Sequence, residues 1–387
     1  MRTFRFRFVA VVTCCMMSGM LPAAEAPPSR DEAAPGWPVF RGDPQSTAAV
    51  PDRLPDVLDV IWQFKVEGKN RGFDATPVIE NGKVYIGDLG NLDGRVYALD
   101  LATGAKQWEF ATDSDFVAAA AVRDNRVFAG DIDGRFHCLD GATGKALWKF
   151  EAQGQIDSGA NFHQDRVLFG SQDGSLYCLD AEEGKLAWKY SIDNQIRCTP
   201  TVVEDRAFVA GCDGQLHIVD LVTGQSAAKV DILAPTGMTP AAKGDQVLFG
   251  TENSVFFCVN WRQPQVVWTY EDSTHRQPLR SPPAVAEDRV VFGSQSRRVY
   301  ALDLKNGALL WTFVARARVD AGPVISGDRV FVAAADGRLY ALELGTGKEL
   351  WQHEVAGKFI GSPALAGNRL VIASDQGVVY CFGSRAN

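Results

Sequence analysis

The sequence lacks the short signatures by which many enzymes are recognised. Its five histidines include no pair four residues apart, and it contains no CxxC pair, nucleophile elbow or phosphate-binding loop. Basic residues are too few to balance the acidic ones, and the formal charge of -8 argues against nucleic acid as a partner. After residue 26, no apolar run approaches the ~20 residues needed to span a bilayer. The absences thus point away from catalysis, nucleic acid and membrane-spanning segments.

Residues 1–26 have the layout of a targeting segment. Arg2, Arg5 and Arg7 precede an apolar stretch from residue 8 to residue 20, and Ala24-Glu25-Ala26 is typical of a cleavage site. We therefore expect an exported protein that is periplasmic or associated with the cell envelope. Residues 27–58 are predicted to form a tether and lead-in segment, of which 27–36 is flexible. Residues 384–387 form a tail.

A tryptophan recurs along the chain with a period of about 40 residues. Successive copies are 40 residues apart in five intervals, and 43 and 46 residues apart in the other two. Such a period indicates one array of repeats rather than a string of separate domains. The register positions are Trp62, Trp108, Trp148, Trp188, Ala228, Trp268, Trp311 and Trp351, so alanine replaces tryptophan once.

Turn signals divide each copy into four short strands. An Asp-Gly pair opens an apolar strand and a Thr-Gly pair follows it, as in DGRVYALDLATGAKQW (93–108). Two more apolar runs, joined by a tight hairpin, precede each Asp-Gly pair, as in TPTVVEDRAFVAG (199–211). Strands that are apolar on both faces favour blades stacked around an axis. A solenoid, the alternative, would need a polar cap at each end.

The two ends of the repeat region complement each other. DVIWQFKV (59–66) supplies a fourth strand without the first three, whereas residues 359–382 supply three strands without a fourth. Pairing these ends leaves no free sheet edge at the junction. The sequence therefore predicts an all-β, eight-bladed β-propeller of four-stranded blades over residues 59–383, closed by an N-terminal outer strand that joins the C-terminal blade.

The repeat motif Ala98-x-Asp100-x-x-Thr103-Gly104-x-x-x-Trp108 resembles the docking motif of pyrroloquinoline-quinone-like (PQQ-like) propellers. The resemblance recurs with variations through residues 59–382 and implies that each tryptophan packs against the neighbouring blade. An eight-bladed domain of this length is most similar to the outer-membrane assembly factor BamB and to exported PQQ-like repeat proteins. The segment WPVFRG (37–42) is similar to a lead-in of the latter group. Such a resemblance specifies a fold better than an activity.

The resemblance leaves two classes of function open. Assembly factors imply a non-catalytic exported scaffold, a monomer within a hetero-complex, that binds another envelope protein or an extended peptide. Larger members imply a quinoprotein dehydrogenase that holds PQQ and calcium in the propeller funnel beneath adjacent cysteines. The only adjacent cysteines here, Cys14 and Cys15, lie in the targeting segment. We therefore expect a scaffold without catalytic residues, cofactor or metal, and keep the dehydrogenase as the alternative.

The remaining cysteines and two of the histidines follow the repeat register. Cysteine replaces a small core residue in four copies, at Cys138, Cys178, Cys258 and Cys381, and His137 and His217 replace a tyrosine, so both sets are predicted to be structural. Cys198 and Cys212 differ, because they flank one hairpin almost symmetrically. A disulfide between them is an open alternative that one residue of register decides.

Loop insertions indicate a binding surface, since insertions in repeat proteins gather on the binding face. Fifteen residues, rather than 12, separate Trp62 from Pro77 and Trp268 from Pro283, and three extra residues enlarge the turn before Gly94. In an up-and-down blade these connections share one rim. The loop after Trp268 also carries His275 and Arg276, which we take as candidate rim residues.

A ring of charged residues is predicted at the mouth of the funnel on the same rim. Three positions before the proline register, the copies carry Asp74, Val117, Asp157, Arg197, Gly237, Arg280, Asp320 and Ile360. Asp157 with Arg197, and Arg280 with Asp320, are expected to pair between adjacent blades. The ring serves either as a solvated ionic collar or as the site of a polar ligand or partner segment.

The most irregular copies surround Ala228, where the Thr-Gly turn of the next copy is replaced by Trp261-Arg262-Gln263-Pro264. An exposed tryptophan beside an arginine has the composition of an interface hot spot. Trp261 and Arg262 are therefore a second candidate interface, on the side opposite the enlarged loops. Drift in a redundant array is the alternative.

Overall fold

The computed structural model of the chain describes Met1, residues 36–68 and residues 70–384. Over these residues all regular elements are β-strands, arranged in eight sheets. The predicted targeting segment after Met1, the tether up to residue 35 and the tail after Ser384 lie outside the described residues. No segment within the described ranges forms a helix long and apolar enough to cross a membrane.

Each sheet contains one blade of four antiparallel strands arranged from the inside outwards, and the short strand β1 Ala49–Val50 adds to blade 7 by pairing parallel to its inner strand. The inner strands are β3 Val78–Glu80, β7 Ala121–Arg123, β11 Asn161–His163, β15 Thr201–Val203, β19 Ala241–Lys243, β23 Ala284–Val285, β27 Val324–Ser326 and β31 Ala364–Ala366. The second strands are β4 Lys83–Gly87, β8 Arg126–Gly130, β12 Arg166–Gly170, β16 Arg206–Ala210, β20 Gln246–Gly250, β24 Arg289–Gly293, β28 Arg329–Ala333 and β32 Arg369–Ser374.

The third and fourth strands complete blades 1 to 8 in the same order. The third strands are β5 Arg95–Asp100, β9 Arg135–Asp140, β13 Ser175–Asp180, β17 Gln215–Asp220, β21 Val255–Asn260, β25 Arg298–Asp303, β29 Arg338–Glu343 and β33 Val378–Gly383. The outer strands are β6 Lys106–Ala111, β10 Ala146–Glu151, β14 Leu186–Ser191, β18 Ser226–Asp231, β22 Gln265–Glu271, β26 Leu309–Val314 and β30 Glu349–Glu354, and blade 8 takes β2 Asp59–Lys65.

The ring closes where β2 pairs with β33. The two strands are antiparallel, with Trp62 opposite Cys381 and Phe64 opposite Val379, and the sheet order of blade 8 is β2-β33-β32-β31. The predicted eight-bladed propeller and its closure are confirmed. Every outer strand also carries a register irregularity at the residue before the docking position, such as Leu310, and bulges of this kind protect exposed sheet edges from pairing with other chains.

The docking tryptophans pack on glycines of the next blade. Trp62, for example, donates its indole N–H to the carbonyl of Leu101 over 2.8 Å, and its ring covers Gly104. A Cβ added to Gly104 would lie 2.6 Å from that ring, and the backbone φ of 74° also favours glycine. The contact between ring and glycine recurs at Gly144, Gly184, Gly224, Gly307 and Gly347, although the indole N–H of Trp148, over Gly184, is buried without a partner. The Thr-Gly signal therefore marks the contact between blades.

The lead-in segment fills the centre of the ring. Residues 37–48 pass the inner strands in blade order, and their carbonyls accept hydrogen bonds from the second residue of six of those strands. The donor and acceptor pairs are Ile79 with Trp37, Val122 with Pro38, Val202 with Pro44, Ala242 with Gln45, Val285 with Thr47 and Ile325 with Ala48, at 2.7 to 2.9 Å. Because each donor would otherwise be an unpaired edge group, the segment stabilises the inner edge of the propeller.

Two side chains complete this central packing. In blade 3, Asn161 accepts from the N–H of Phe162 at 2.8 Å and donates to the carbonyls of Pro44 and Pro200 at 2.9 Å. Arg41 of the lead-in is fully buried and donates to the carbonyl of Pro283 at 3.2 Å and to that of Pro323. Burial lowers the pKa of Arg41 to about 9.

Candidate functional site

Two sets of connections meet on one face of the ring, here called the upper rim. They are the loops from each outer strand to the next inner strand and the turns between second and third strands. Backbone hydrogen bonds join them, as between Gly72 and Leu89 at 2.9 and 3.1 Å. The other turns form the lower rim, where for example the N–H of Leu221 donates to Asp205 over 3.0 Å. All three sequence insertions lie on the upper rim.

The eight ring positions found from the repeat register surround one cavity of about 250 Å³ that opens on the upper rim. Phe40 of the lead-in also lines this cavity, hereafter the funnel, together with the hydroxyl-bearing residues Thr76, Thr199, Thr239 and Ser362. The ring position in blade 8, Ile360, is 42% exposed and adds an apolar contact. The register thus locates the funnel wall correctly, whereas its pairings hold only in part.

Asp157 and Arg197 form the predicted ion pair, with Arg197 Nε 3.2 Å from an oxygen of Asp157. Gln172 donates to the same oxygen at 2.6 Å, and the other oxygen of Asp157 is buried without a partner. The Arg197 side chain is 53% exposed, so the pair itself contributes little stability, about 0–1 kcal/mol. The accessible guanidinium of Arg197 can donate a hydrogen bond to a polar ligand, and the Asp157 carboxylate holds it in place.

The predicted pair between Arg280 and Asp320 is wrong. Arg280 instead contacts Glu252 through two guanidinium nitrogens at 3.0 and 3.1 Å. Asp320 is held by Arg318 at 2.9 Å and by Gln295 at 3.1 Å. The reason is local: the loop before Arg280 is hydrogen-bonded to the turn that carries Glu252, which brings that carboxylate closer than the next blade.

Asp74, the ring position of blade 1, has a different environment. Burial, with repulsion from Asp375, raises the pKa of Asp74 above its usual value. It lies in the first enlarged loop, which Arg71 ties to the enlarged turn of the same blade. Arg71 makes two hydrogen bonds to Asp88, at 2.8 and 3.0 Å, and a third to the carbonyl of Asp93 at 2.8 Å. Two of the insertions therefore form one clamped unit.

The sequence did not reveal the Arg71–Asp88 pair, in which the two side chains are 5% and 0% exposed. The available signal was that both insertions belong to one blade and one rim. Asp115 fixes the tip of the same turn by accepting from the N–H groups of Gly90 and Leu92 at 2.7 and 3.0 Å. Leu92 stays 59% exposed with a left-handed φ of 66°. An apolar side chain is thus presented to solvent by a rigid loop.

His275 and Arg276 lie on the upper rim, in the third enlarged loop. His275 Nδ1 is 3.0 Å from Asp272, which also accepts from the hydroxyl of Tyr300 at 2.9 Å. Arg276 pairs with Glu271 at 2.7 Å and is 65% exposed. The imidazole orders the loop, while the guanidinium remains accessible.

Trp261 is not an exposed interface residue as predicted. Only 7% of its surface is exposed, and its indole N–H donates to the carbonyl of Gly244 at 3.0 Å. Arg262 stacks over its ring at 4.2 Å and pairs with Glu204 at 2.5 Å and Asp245 at 2.7 Å. The pair thus fastens blade 5 to blade 4 on the lower rim. The prediction was wrong because the loss of the Thr-Gly turn was taken to indicate an exposed surface at this position.

Cys198 and Cys212 are both free thiols, so the disulfide is not formed. Thr201 pairs with Phe208 in their hairpin, and continuing this register places Cys198 opposite Gly211. Cys212 therefore falls one residue out of register, and its thiol lies 3.6 Å from the carbonyl of Thr236. Burial raises the pKa of Cys198 to about 12.

The histidines in the tyrosine register have structural partners on the upper rim. His137 lies 3.0 Å from Asp131 and His217 lies 2.8 Å from Asp213, as Tyr177 donates to Asp173 at 2.6 Å. Burial lowers the pKa of His217, which is fully enclosed. These side chains anchor rim turns from below and do not reach the funnel wall.

The acidic residues of the funnel do not form a calcium site. Asp157 and Asp320 are each engaged by an arginine and a glutamine, and Asp74 stands apart from both in the ring. Within residues 36–68 and 70–384, no cluster of three or more histidine, cysteine or carboxylate side chains is placed to hold a metal ion. The residues present therefore do not fit the calcium that accompanies PQQ in larger propellers.

Comparison with known proteins identifies one family. Its model, described as "Outer membrane protein assembly factor BamB", matches residues 59–156, 133–318 and 296–385, which together cover most of the chain. A search of the curated proteins found no match.

Solved structures share the fold at low sequence identity. BamB from Moraxella catarrhalis is 19% identical with a TM-score of 0.72, over 86% of this chain and 99% of that one. Quinohemoprotein alcohol dehydrogenase from Comamonas testosteroni is 16% identical with a TM-score of 0.77, over 92% and 82% of the two chains. The computationally designed Ika8 protein is 19% identical with a TM-score of 0.72, over 83% and 98%. Fold likeness therefore does not separate scaffold from enzyme.

Proposed function

The chain belongs to the family of the outer membrane protein assembly factor BamB, and from that premise we propose that it is an exported, non-catalytic scaffold. Its upper rim and funnel mouth hold another envelope protein, or an extended peptide, during protein assembly. The chain acts as a monomer within a hetero-complex.

The observation that carries this proposal is the construction of the funnel. Phe40 and the ring residues line it, and its volume of about 250 Å³ admits side chains of a partner. Arg197 offers an accessible donor at the mouth, and Ile360 adds apolar surface. Such a mixture of polar and apolar groups on rigid loops is typical of protein recognition.

The alternative function, a quinoprotein dehydrogenase, has support from the fold that the chain shares with the Comamonas enzyme and with other solved dehydrogenases of that kind. The funnel carboxylates are committed to arginine and glutamine partners, and no adjacent cysteines occur within the propeller. Addition of PQQ and calcium to the purified protein is expected to give neither saturable quinone binding nor dye-linked alcohol oxidation. Saturable PQQ binding with oxidation of the alcohol would contradict the scaffold proposal and establish the dehydrogenase.

Capture of the partner tests the proposal directly. We expect the tagged protein to retain a specific envelope protein, and Arg197→Glu with Arg280→Glu to weaken that retention. The control variant, Lys145→Glu with Lys305→Glu, makes the same change of charge on the lower rim. Melting temperatures should stay nearly unchanged in both, since exposed pairs contribute about 0–1 kcal/mol. Equal retention by both variants and the wild type would remove the funnel mouth from consideration.

A further inference from the structure

Charge is distributed unequally around the upper rim. In blades 2 to 5 its loops and turns carry nine acidic residues and one basic residue, Arg197. The acidic ones are Asp113, Asp115, Asp131, Asp133, Asp157, Asp173, Asp193, Asp213 and Glu252. In the loops and turns around blade 6 the balance reverses, with arginines at 276, 280, 297, 316 and 318 against Asp272 and Asp320, and Arg298 begins the adjoining strand β25. A chain with a net charge of -8 therefore concentrates positive charge on one sector.

The centre of this sector is the turn at residues 294–297 of blade 6, which is bonded to both neighbouring loops. Gln295 donates its N–H to Pro278 at 3.2 Å, and Ala315 donates to the carbonyl of Arg297 at 2.8 Å. Arg297, Arg298 and Arg316 therefore lie around one turn, and we call them the arginine patch. Val314, opposite Arg298 in the strand register, is 56% exposed beside them.

The arginine patch has no ionic partner of its own. Its three members form no ion pair within the described parts of the chain, whereas the flanking Arg276, Arg280 and Arg318 each have a carboxylate. Three accessible guanidinium groups without counter-charge repel one another. Stability of the fold gives no reason to collect them here.

The backbone at Arg297 supplies an independent observation. Its φ is 65°, in the left-handed region, where blades 2, 3, 4 and 7 have Gly134, Gly174, Gly214 and Gly337 at the equivalent place and blade 5 has the small residue Ser254. An arginine at a glycine position is strained, and local strain of this kind is concentrated at functional sites. The turn therefore presents a long cationic side chain from a backbone conformation that favours glycine.

We infer that the arginine patch docks an acidic stretch of the partner polypeptide, an inference that rests on the proposed scaffold function. Guanidinium groups bind carboxylates through paired hydrogen bonds, and Val314 adds an apolar contact. The acidic sector of the same rim repels a long polyanion, so the negative stretch is short. It lies over blade 6, and uncharged or basic residues of the same segment extend across the funnel mouth.

A labelled peptide containing a run of glutamates tests the inference, with a glutamine peptide as its counterpart. The full-length protein is expected to bind the glutamate peptide saturably, and more weakly as ionic strength rises from about 50 to 300 mM. The variant R297E/R298E/R316E should weaken binding at least about tenfold. The control variant K145E/K305E/K348E, which makes the same charge change on the lower rim, should bind as wild type does.

A single substitution separates docking from folding. Arg297→Gly relieves the strained turn, so we expect a higher melting temperature together with weaker peptide binding. Equal peptide binding by the wild type and R297E/R298E/R316E would overturn the inference. It would also be overturned if the protein bound phosphatidylglycerol vesicles through the arginine patch but did not bind the peptide. Either result leaves the scaffold proposal intact if partner capture still depends on Arg197 and Arg280. Loss of that dependence with peptide binding retained would instead refute the funnel role.

Discussion

Trp261 packs against Phe208 with ring centroids 5.7 Å apart, although the two residues belong to neighbouring blades. In blades 1 and 2, the equivalents of Phe208 contact the docking tryptophan of their own blade, as Tyr85 contacts Trp108 at 5.8 Å. Blade 4 has Ala228 in that place. Blade 5 therefore supplies, from its lower turn, the indole that blade 4 lacks.

Removal of this indole should destabilise the propeller. Trp261→Ala leaves a cavity between blades 4 and 5 and exposes Phe208, and we expect a loss of about 3–5 kcal/mol in the free energy of unfolding. Denaturant titration followed by tryptophan fluorescence measures the loss. The double variant Ala228→Trp with Trp261→Leu restores the arrangement of the other blades and should recover part of it. If the double variant instead loses the sum of what the single variants Ala228→Trp and Trp261→Leu lose, the two positions do not share one space.

The lead-in segment should protect the inner strands from solvent. Deletion of residues 36–50 removes the carbonyls that accept from Val202, Ala242 and Val285, so we expect these amides to exchange with deuterium much faster. Amides within the second strands, such as that of Val247, are bonded inside their blade and act as the control. Unchanged protection of the three inner amides would mean that the lead-in is not needed to cover them.

Acid should weaken the fold through His217. Burial holds the pKa of His217 below its usual value, so on acidification the unfolded chain takes up the proton first. The free energy of unfolding is therefore expected to fall as pH drops from about 7.5 to 5.5. His217→Tyr introduces the residue that donates to a carboxylate at Tyr177, and should reduce this dependence. Melting curves at the two pH values compare the proteins, and identical pH dependence would contradict the assignment.

The sequence predicted the features that repeat with the register, and the predictions were wrong for residues whose contacts do not repeat from blade to blade. The period and the complementary ends specified the blades and the closure, and the ring positions such as Asp157 and Arg197 do line one funnel. The partner of Arg280 was wrong because pairing across an enlarged loop depends on the path of that loop. The position of residues 37–48 in the centre of the ring was not predicted, because this segment has no repeat and each of its bonded carbonyls contacts a different blade. Trp261 was misjudged because its packing space belongs to the preceding copy.

The central claim is that the upper rim holds a protein partner, and site-specific photo-crosslinking in the native envelope tests it most directly. A crosslinking side chain at Ile360, beside the funnel mouth, is expected to form an adduct with one envelope protein. The same side chain at Lys305, on the lower rim, should not form that adduct. An adduct from Lys305 alone, or none from Ile360 at full expression of the folded protein, would contradict the account.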